Sequence, residues 1–255
     1  MATQLPAESS WAFKALVWAS KLIPTGLVLP IVRGPLRGAR WIVGAGAGEG
    51  RGLSALLNMS ETAGLAKAAS LAAAATGVCF DIGANTGIYS LLFSRFCRHV
   101  YAFEPLPRNL RFLHRTLEVN SIANVTIVPC AVADRLALRK FQVGRNCAEG
   151  KVDAGGSEPV VTVSCDEFSA LFAVTPDLVK IDVEGAEMEV LRGAEATIAR
   201  RPPHLLLQTH SDALRTECLA FLRAKGYSQI EALDGKPLEA ANDFAVISPA
   251  LPPGA

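Results

Sequence analysis

Residues 78–96 read VCFDIGANTGIYSLLFSRF, and the order of events in that stretch decides the fold. Apolar residues from Val78 to Phe80 run into Asp81, a turn flanked by Gly83 and Gly87 follows, and a helix-like pattern then continues to Phe96. A strand that breaks into a glycine turn and restarts as a helix aims free backbone N–H groups at the strand's carboxyl end. In an open α/β sheet, that end is where a ligand is held.

Working outward, the same rhythm recurs. HVYAFE (His99 to Glu104) precedes an amphipathic stretch from Arg108 to Val119, and VTIVPCAV (Val125 to Val132) follows as a third apolar run. LVKIDVE (Leu178 to Glu184) leads into Glu187 to Ala199, and HLLLQTH (His204 to His210) leads into Asp212 to Lys225. Strands written as continuous apolar runs between helices predict a mostly parallel sheet covered on both faces. Late pieces near Tyr227 to Ile230 and Phe244 to Ile247 are expected to pair at the sheet's end, and Leu138 to Val163 reads as an insertion.

The 25 basic and 24 acidic residues nearly cancel, so no global field draws in nucleic acid or an anionic membrane. Six cysteines (Cys79, Cys97, Cys130, Cys147, Cys165 and Cys218) form no CxxC pair, which predicts reduced thiols and a cytoplasmic protein. Ahead of residue 77 the chain is helical and glycine-broken. Phe13, Leu16 and Val17 share a face, Arg40 to Val43 is a short strand candidate, and AGLAKAASLAAAA (Ala63 to Ala75) has high helix propensity. The glycines of Gly34 to Gly52 read as a connection, since no Lys-Ser/Thr follows to complete a phosphate loop. Lys14, Lys21, Pro24 and Pro30 interrupt every long apolar run there, so a membrane span is not expected and only weak peripheral contact stays open. Residues 1–76 are therefore expected as a helical and loop cap, and 77–255 as the main α/β domain, with its insertion at about 138–163.

DIGANTG does not match the dinucleotide fingerprint, because Asn85 stands where the second glycine would let the backbone approach a pyrophosphate. That counts against a nicotinamide oxidoreductase. Asp81 suits a ligand with an amino group, and Glu104 ends the next strand at about the 20-residue offset from which a carboxylate reaches ribose hydroxyls. S-adenosylmethionine carries an ammonium, a carboxylate and a ribose. Candidate cofactor-binding residues are thus Asp81, Gly83, Ala84, Asn85, Thr86, Gly87 and Glu104, joined by Asp134, which either meets the adenine amino group or forms a turn.

FDIGANTGIYS, YAFEPLPRNLRFL, the AVADR turn, LVKIDVEGAEMEVLRGA and LLLQTH together resemble the FkbM family of class I S-adenosylmethionine-dependent methyltransferases, over about Val78 to His210. The resemblance implies a Rossmann-like fold with a seven-stranded sheet, and O-methylation of a sugar, glycan or specialised metabolite. Relatives commonly carry Glu in the fifth strand where this chain has Gln208, which keeps a non-catalytic cofactor-binding scaffold as an alternative.

Methyl transfer to an alcohol needs the acceptor oxygen held in line and its proton removed. Asp182 and Glu184 alternate by two at the end of LVKIDVE, and His210 ends the next run, so these three are the candidate catalytic residues. Glu187 reads as a carboxylate placed to suit a helix start. Oxygen ligands from Asp182 and Glu184 also suit magnesium or manganese, and this stays open. KIDVEG is not the Asn/Asp-Pro-Pro-aromatic stretch that resembles nucleic-acid amino-methyltransferases, so nucleic acid is not the expected partner.

Overall fold

The computed structural model describes residues 18, 22–45, 53–58, 62–144, 150–152 and 155–249. The helical reading at Phe13, Leu16 and Val17, the lysines at 14 and 21, the glycines from Gly46 to Gly52, and Cys147 lie outside those residues. Strands β1 (Val28–Pro30) and β2 (Arg40–Ile42) pair antiparallel, and short α1 (Leu53–Leu56) and longer α2 (Thr62–Ala74) follow. The main unit then runs β3 (Val78–Ile82), α3 (Ile88–Phe93), β4 (His99–Phe103), α4 (Pro107–Val119) and β5 (Val125–Val128). After β6 (Ala131–Val132), β7 (Ala137–Val143), β8 (Gly150–Val152) and β9 (Glu158–Val163), the chain continues through α5 (Cys165–Phe172) and β10 (Pro176–Ile181). It ends with α6 (Glu187–Arg192), α7 (Glu195–Arg200), β11 (His204–Gln208), α8 (Asp212–Ala224), β12 (Gln229–Ala232) and β13 (Asp243–Ile247).

The seven-stranded sheet has the order β5-β4-β3-β10-β11-β13-β12, with β5 to β11 parallel and β13 antiparallel to both neighbours. This is the expected Rossmann-like methyltransferase arrangement. The chain leaves β3 toward β4 and later returns to β3's other side as β10, so the topological switch point, and the crevice it opens, falls at the ends of β3 and β10.

Successive strand residues serve opposite faces. Cys79, Val100, Leu178 and Leu206 join a core with Leu71 of α2 and Leu91 of α3, while Phe80, Val179, Ile181 and Leu207 join Phe168 of α5, Leu191 of α6 and Leu222 of α8. Ile31, Trp41 and Ile42 belong to the first of these cores, so the described part of the segment before β3 shares apolar packing with the sheet. Arg95 fastens it further by donating to the carbonyl of Pro35 at 2.8 Å. Among the described residues, no helix is long and apolar enough to cross a membrane. Cys79, Cys97, Cys130, Cys165 and Cys218 are buried free thiols.

Two continuous readings are divided in the structure. VTIVPCAV splits into β5 and β6 around Pro129, which has no N–H to give a ladder. β6 then pairs with β9, and with β7 and β8 these form a separate four-stranded sheet. Glu187 to Ala199 splits into α6 and α7 at Gly193, where a Cβ would lie 2.2 Å from the Ala133 carbonyl oxygen. A close backbone crossing, not a helix preference, sets that break.

The second sheet is tied back through α5, which opens with a reciprocal cap between Ser164 and Glu167. Phe168 packs edge-on against Phe80, Tyr101 and Phe103 with ring centroids 5.5, 5.0 and 4.9 Å away. Phe168→Ala should therefore destabilise the protein by about 3–5 kcal/mol in urea unfolding, whereas Phe172→Ala, on the half-exposed end of the same helix, should cost less than about 1 kcal/mol.

Candidate active site

Parallel pairing puts Lys180 of β10 directly beside Asp81 of β3, on the face covered by α3. Both are buried. Lys180 Nζ lies 3.4 Å from Asp81 Oδ1 and 3.4 Å from Asp182 Oδ2, donates to the Gly83 carbonyl at 2.8 Å, and stands 5.1 Å from the centre of the Tyr89 ring. Ser90 Oγ donates to Asp81 Oδ2 at 2.6 Å. Asp81 is therefore turned to the interior and is not among the residues lining the cleft, so of the expected contacts with a ligand ammonium, direct or through water, this geometry offers no direct one. Its role in the geometry is to anchor Lys180, which in turn holds the turn.

Gly83 makes the turn possible. Its φ is +75°, and a Cβ there would lie 1.8 Å from the Asp182 carbonyl oxygen, so β3 and β10 can end this close only with glycine. Gly83 and Ala84 both donate to the Phe103 carbonyl, at 3.0 and 2.9 Å, which turns the chain back across the end of β4. Gly83 and Asn85 face the cleft, whereas Ala84 packs with Leu113 and Leu117, and the buried Thr86 accepts from Thr116 Oγ1 at 3.0 Å. Ala84, Thr86 and Gly87 shape the turn without lining the cleft.

Glu104 lies on the cleft wall, only 4% exposed. Its carboxylate accepts from the backbone N–H groups of Asn85 and Leu106, each at 2.9 Å, and from Asn109 Nδ2 at 3.1 Å. Burial pushes its pKa up, and these hydrogen bonds together with Lys180 pull against that rise. A carboxylate has about four acceptor positions, so one remains for a hydroxyl in the cleft. Leu106, Ala131, Val132 and Phe141 supply an apolar wall beyond it, and Asp182 and Glu184 close the other end. A nucleoside with its ribose at Glu104, its base on the apolar wall and a charged tail toward the Gly83 turn fits this lining.

Asp134 does not belong to it. Its carboxylate pairs with Arg139, which also pairs with Glu189, and with Arg135 at 3.3 Å, outside the cleft. The turn after β6 carries it into the second sheet's ion pairs, and Ala131 and Val132 take the position facing the cleft. Of the two expected roles, contact with adenine or a turn, this placement matches the turn.

At the far end, His210 gathers three carboxylates. Nε2 lies 3.4 Å from Glu184 Oε1 and 3.7 Å from Asp182 Oδ1, and Nδ1 is 2.6 Å from Glu187 Oε1. Glu187, fully buried at the start of α6, also accepts from the Gly185 N–H at 2.9 Å. Its position thus does more than suit a helix start, since it fixes the ring from behind. Burial alone would lower the imidazole's pKa, but hydrogen bonds to Glu184 and Glu187 and the charges of Glu184 and Asp182 outweigh it and raise the value to about 10. This arrangement favours the protonated imidazole. Asp182, Glu184 and His210 can each offer one ligand atom, all within 4.8 Å of one another, a donor set that suits a divalent cation.

A profile of the Methyltransferase FkbM domain matches residues 81–228, from the buried Asp81 to beyond α8. The chain belongs to this family. Among curated relatives of this FkbM protein, the hexuronic acid methyltransferase AglP of Haloferax volcanii is 34% identical over 121 residues, covering 46% of this chain and 49% of that protein. Methyltransferase 1 of Beauveria bassiana is 30% identical, covering 45% of this chain and 57% of that protein. The chain thus spans about half the length of the curated relatives it matches. A solved structure of methyltransferase FkbM from Methylobacillus flagellatus superposes with a TM-score of 0.49 at 18% identity, over 66% of this chain and 43% of that one.

Reading the sequence missed Lys180, Ser90, Asn109 and the bond from Glu187 to His210. A signal existed for the first: a lysine inside the apolar run LVKID needs a buried partner. Lys180→Met should leave Asp81 uncompensated and lower stability by about 3–5 kcal/mol in urea unfolding. Adding Asp81→Asn should restore part of that loss.

Proposed function

We propose that this protein is an S-adenosylmethionine-dependent O-methyltransferase that acts on a hydroxyl of a sugar, glycan or specialised metabolite in the cytoplasm, with no nucleic-acid partner. The observation that carries the reading is the cleft itself: the buried carboxylate of Glu104 at one end, and Asp182 and Glu184, with His210 beside them, at the other. Membership of the FkbM family and the relative named for a hexuronic acid support it. Residues 77–255 are the proposed catalytic domain, and the residues before them the cap that shields it.

S-adenosylmethionine, when bound, supplies the electrophilic methyl group. Gly83, Asn85 and Glu104 hold the cofactor from β3 and β4, with Asp81 acting behind the turn through Lys180. Asp182, or Glu184 beside it, orients the acceptor hydroxyl and takes its proton, and the His210 cation keeps both carboxylates in place. Negative charge grows on the acceptor oxygen as the reaction proceeds, so a base at that oxygen lowers the barrier with little effect on ground-state binding. In a second reading Asp182, Glu184 and His210 would hold magnesium or manganese, the ion taking the place of the Nε2 proton, and the ion would supply Lewis-acid chemistry at the acceptor oxygen. It is favoured by the Nδ1–H that His210 donates to Glu187, which orients Nε2 as a carboxylate behind a metal-binding imidazole does.

By calorimetry, Glu104→Gln should weaken S-adenosylmethionine binding by the roughly 1.5–3 kcal/mol of a hydrogen bond to a charged group. Unchanged affinity would remove the ribose assignment. Asp182→Asn should lower turnover by about 100-fold or more while leaving cofactor affinity nearly intact. Loss of activity with a chelator, restored by magnesium or manganese, would select the metal reading.

A further inference from the structure

The cleft does not end at Asp182. That residue also borders a small cavity walled by Tyr89, Lys180, Gln208, Leu233 and Asp243. Four of these, Tyr89, Gln208, Leu233 and Asp243, also wall a larger, partly open cavity of ≈ 230 Å³, bordered by Thr62, Ala63 and Gly64 of α2 and by Asp234. A water molecule's share of liquid volume is about 30 Å³, so the larger space holds a ring-sized group. The shared walls set the two cavities side by side, running from Asp182 toward the space between α2 and the β12–β13 connection.

The chamber's chemistry is one-sided. Asp182, Asp234 and Asp243 bring carboxylates to the route, and no arginine is among its described lining residues. The nearby lysines are already engaged, Lys180 with Asp81 and Asp182, and Lys236 with Asp234 at 2.7 Å. Burial, followed by the charges of Asp182 and Asp234, pushes the Asp243 carboxyl above its usual range, with His210 and Lys236 pulling against it. Tyr89 supplies a ring, and its hydroxyl stands 2.7 Å from where a Cβ on Gly64 would lie.

Building on the sugar-directed reading above, we propose that these two cavities are the acceptor site, and that it takes a hydroxylated acceptor without a carboxylate, a neutral or amine-bearing sugar and not a uronate. Hydroxyl and ammonium donors find acceptors in the neutral Gln208 amide and in Asp234 and Asp243, and these two aspartates with Asp182 already gather negative charge along the route. A carboxylate placed there would be desolvated beside those charges with no guanidinium to receive it. This sets the chain apart from the relative named for a hexuronic acid.

The test measures S-adenosylhomocysteine release from S-adenosylmethionine with matched neutral, amino and uronic methyl glycosides. Neutral and amino members should exceed the uronic member in kcat/KM by about tenfold or more, and Asp234→Lys should narrow that gap. Ala63→Phe, on the exposed start of α2, should raise acceptor KM by about tenfold while leaving S-adenosylmethionine affinity, which also reports folding, unchanged. Equal or better turnover of uronic members overturns the charge assignment and leaves the methyltransferase reading intact. An unchanged acceptor KM in Ala63→Phe overturns the location. No turnover of any panel member by a protein that binds S-adenosylmethionine removes the sugar reading and this assignment with it.

Discussion

One buried cation holds the two halves of the sheet to a common geometry at the site. Lys180 stands between β3 and β10, bridging Asp81 to Asp182 while its remaining reach goes to the Gly83 carbonyl. Burying an ammonium and a carboxylate costs several kcal/mol for each ion, and only close pairing with further hydrogen bonds offsets it. Ser90 supplies one such bond to Asp81. Because Lys180 contacts both strand ends, it ties the Gly83 turn to Asp182 across the cleft. The absent side chain at Gly83 completes the constraint by letting the two backbones come within contact distance.

The architecture was legible because a sheet covered on both faces writes its strands as unbroken apolar runs. VCFDI, HVYAF and HLLLQ appear as strands where the sequence marks them, and α2, α4 and α8 fall within a residue or so of their helical stretches. Less legible were features decided by a distant partner. Asp134 stands in a turn that fits a cofactor contact, but Arg139, on β7, claims its carboxylate. Asp81 ends a strand as a ligand-binding carboxylate would, yet Lys180, 99 positions along, determines that it points inward. Glu187 has the local profile of a helix-start acid, and only the return of the chain through β11 brings His210 to it.

Asp182, Glu184 and His210 converge because parallel neighbours β10 and β11 end side by side, a placement that alternation and strand order alone convey. The chemistry of the cluster is less easily read. An imidazole at a strand end suggests a base, while the three carboxylates around this one push its pKa upward against the effect of burial. The charge state of a histidine is a property of its neighbourhood, and that neighbourhood is assembled from three separate elements.

Glu184 has φ of +56° and is followed by Gly185 at +111°, so the peptide leaving β10 is left-handed at a residue with a full side chain. Such a conformation costs on the order of 1 kcal/mol outside glycine and asparagine. A screen that selects variants only for resistance to heat would thus be drawn to glycine at this position, and would gain stability by discarding a carboxylate that faces His210. If Glu184 serves the proposed chemistry, thermal and catalytic rankings part company here, which makes position 184 a poor target for stabilisation and an informative one for separating the two properties.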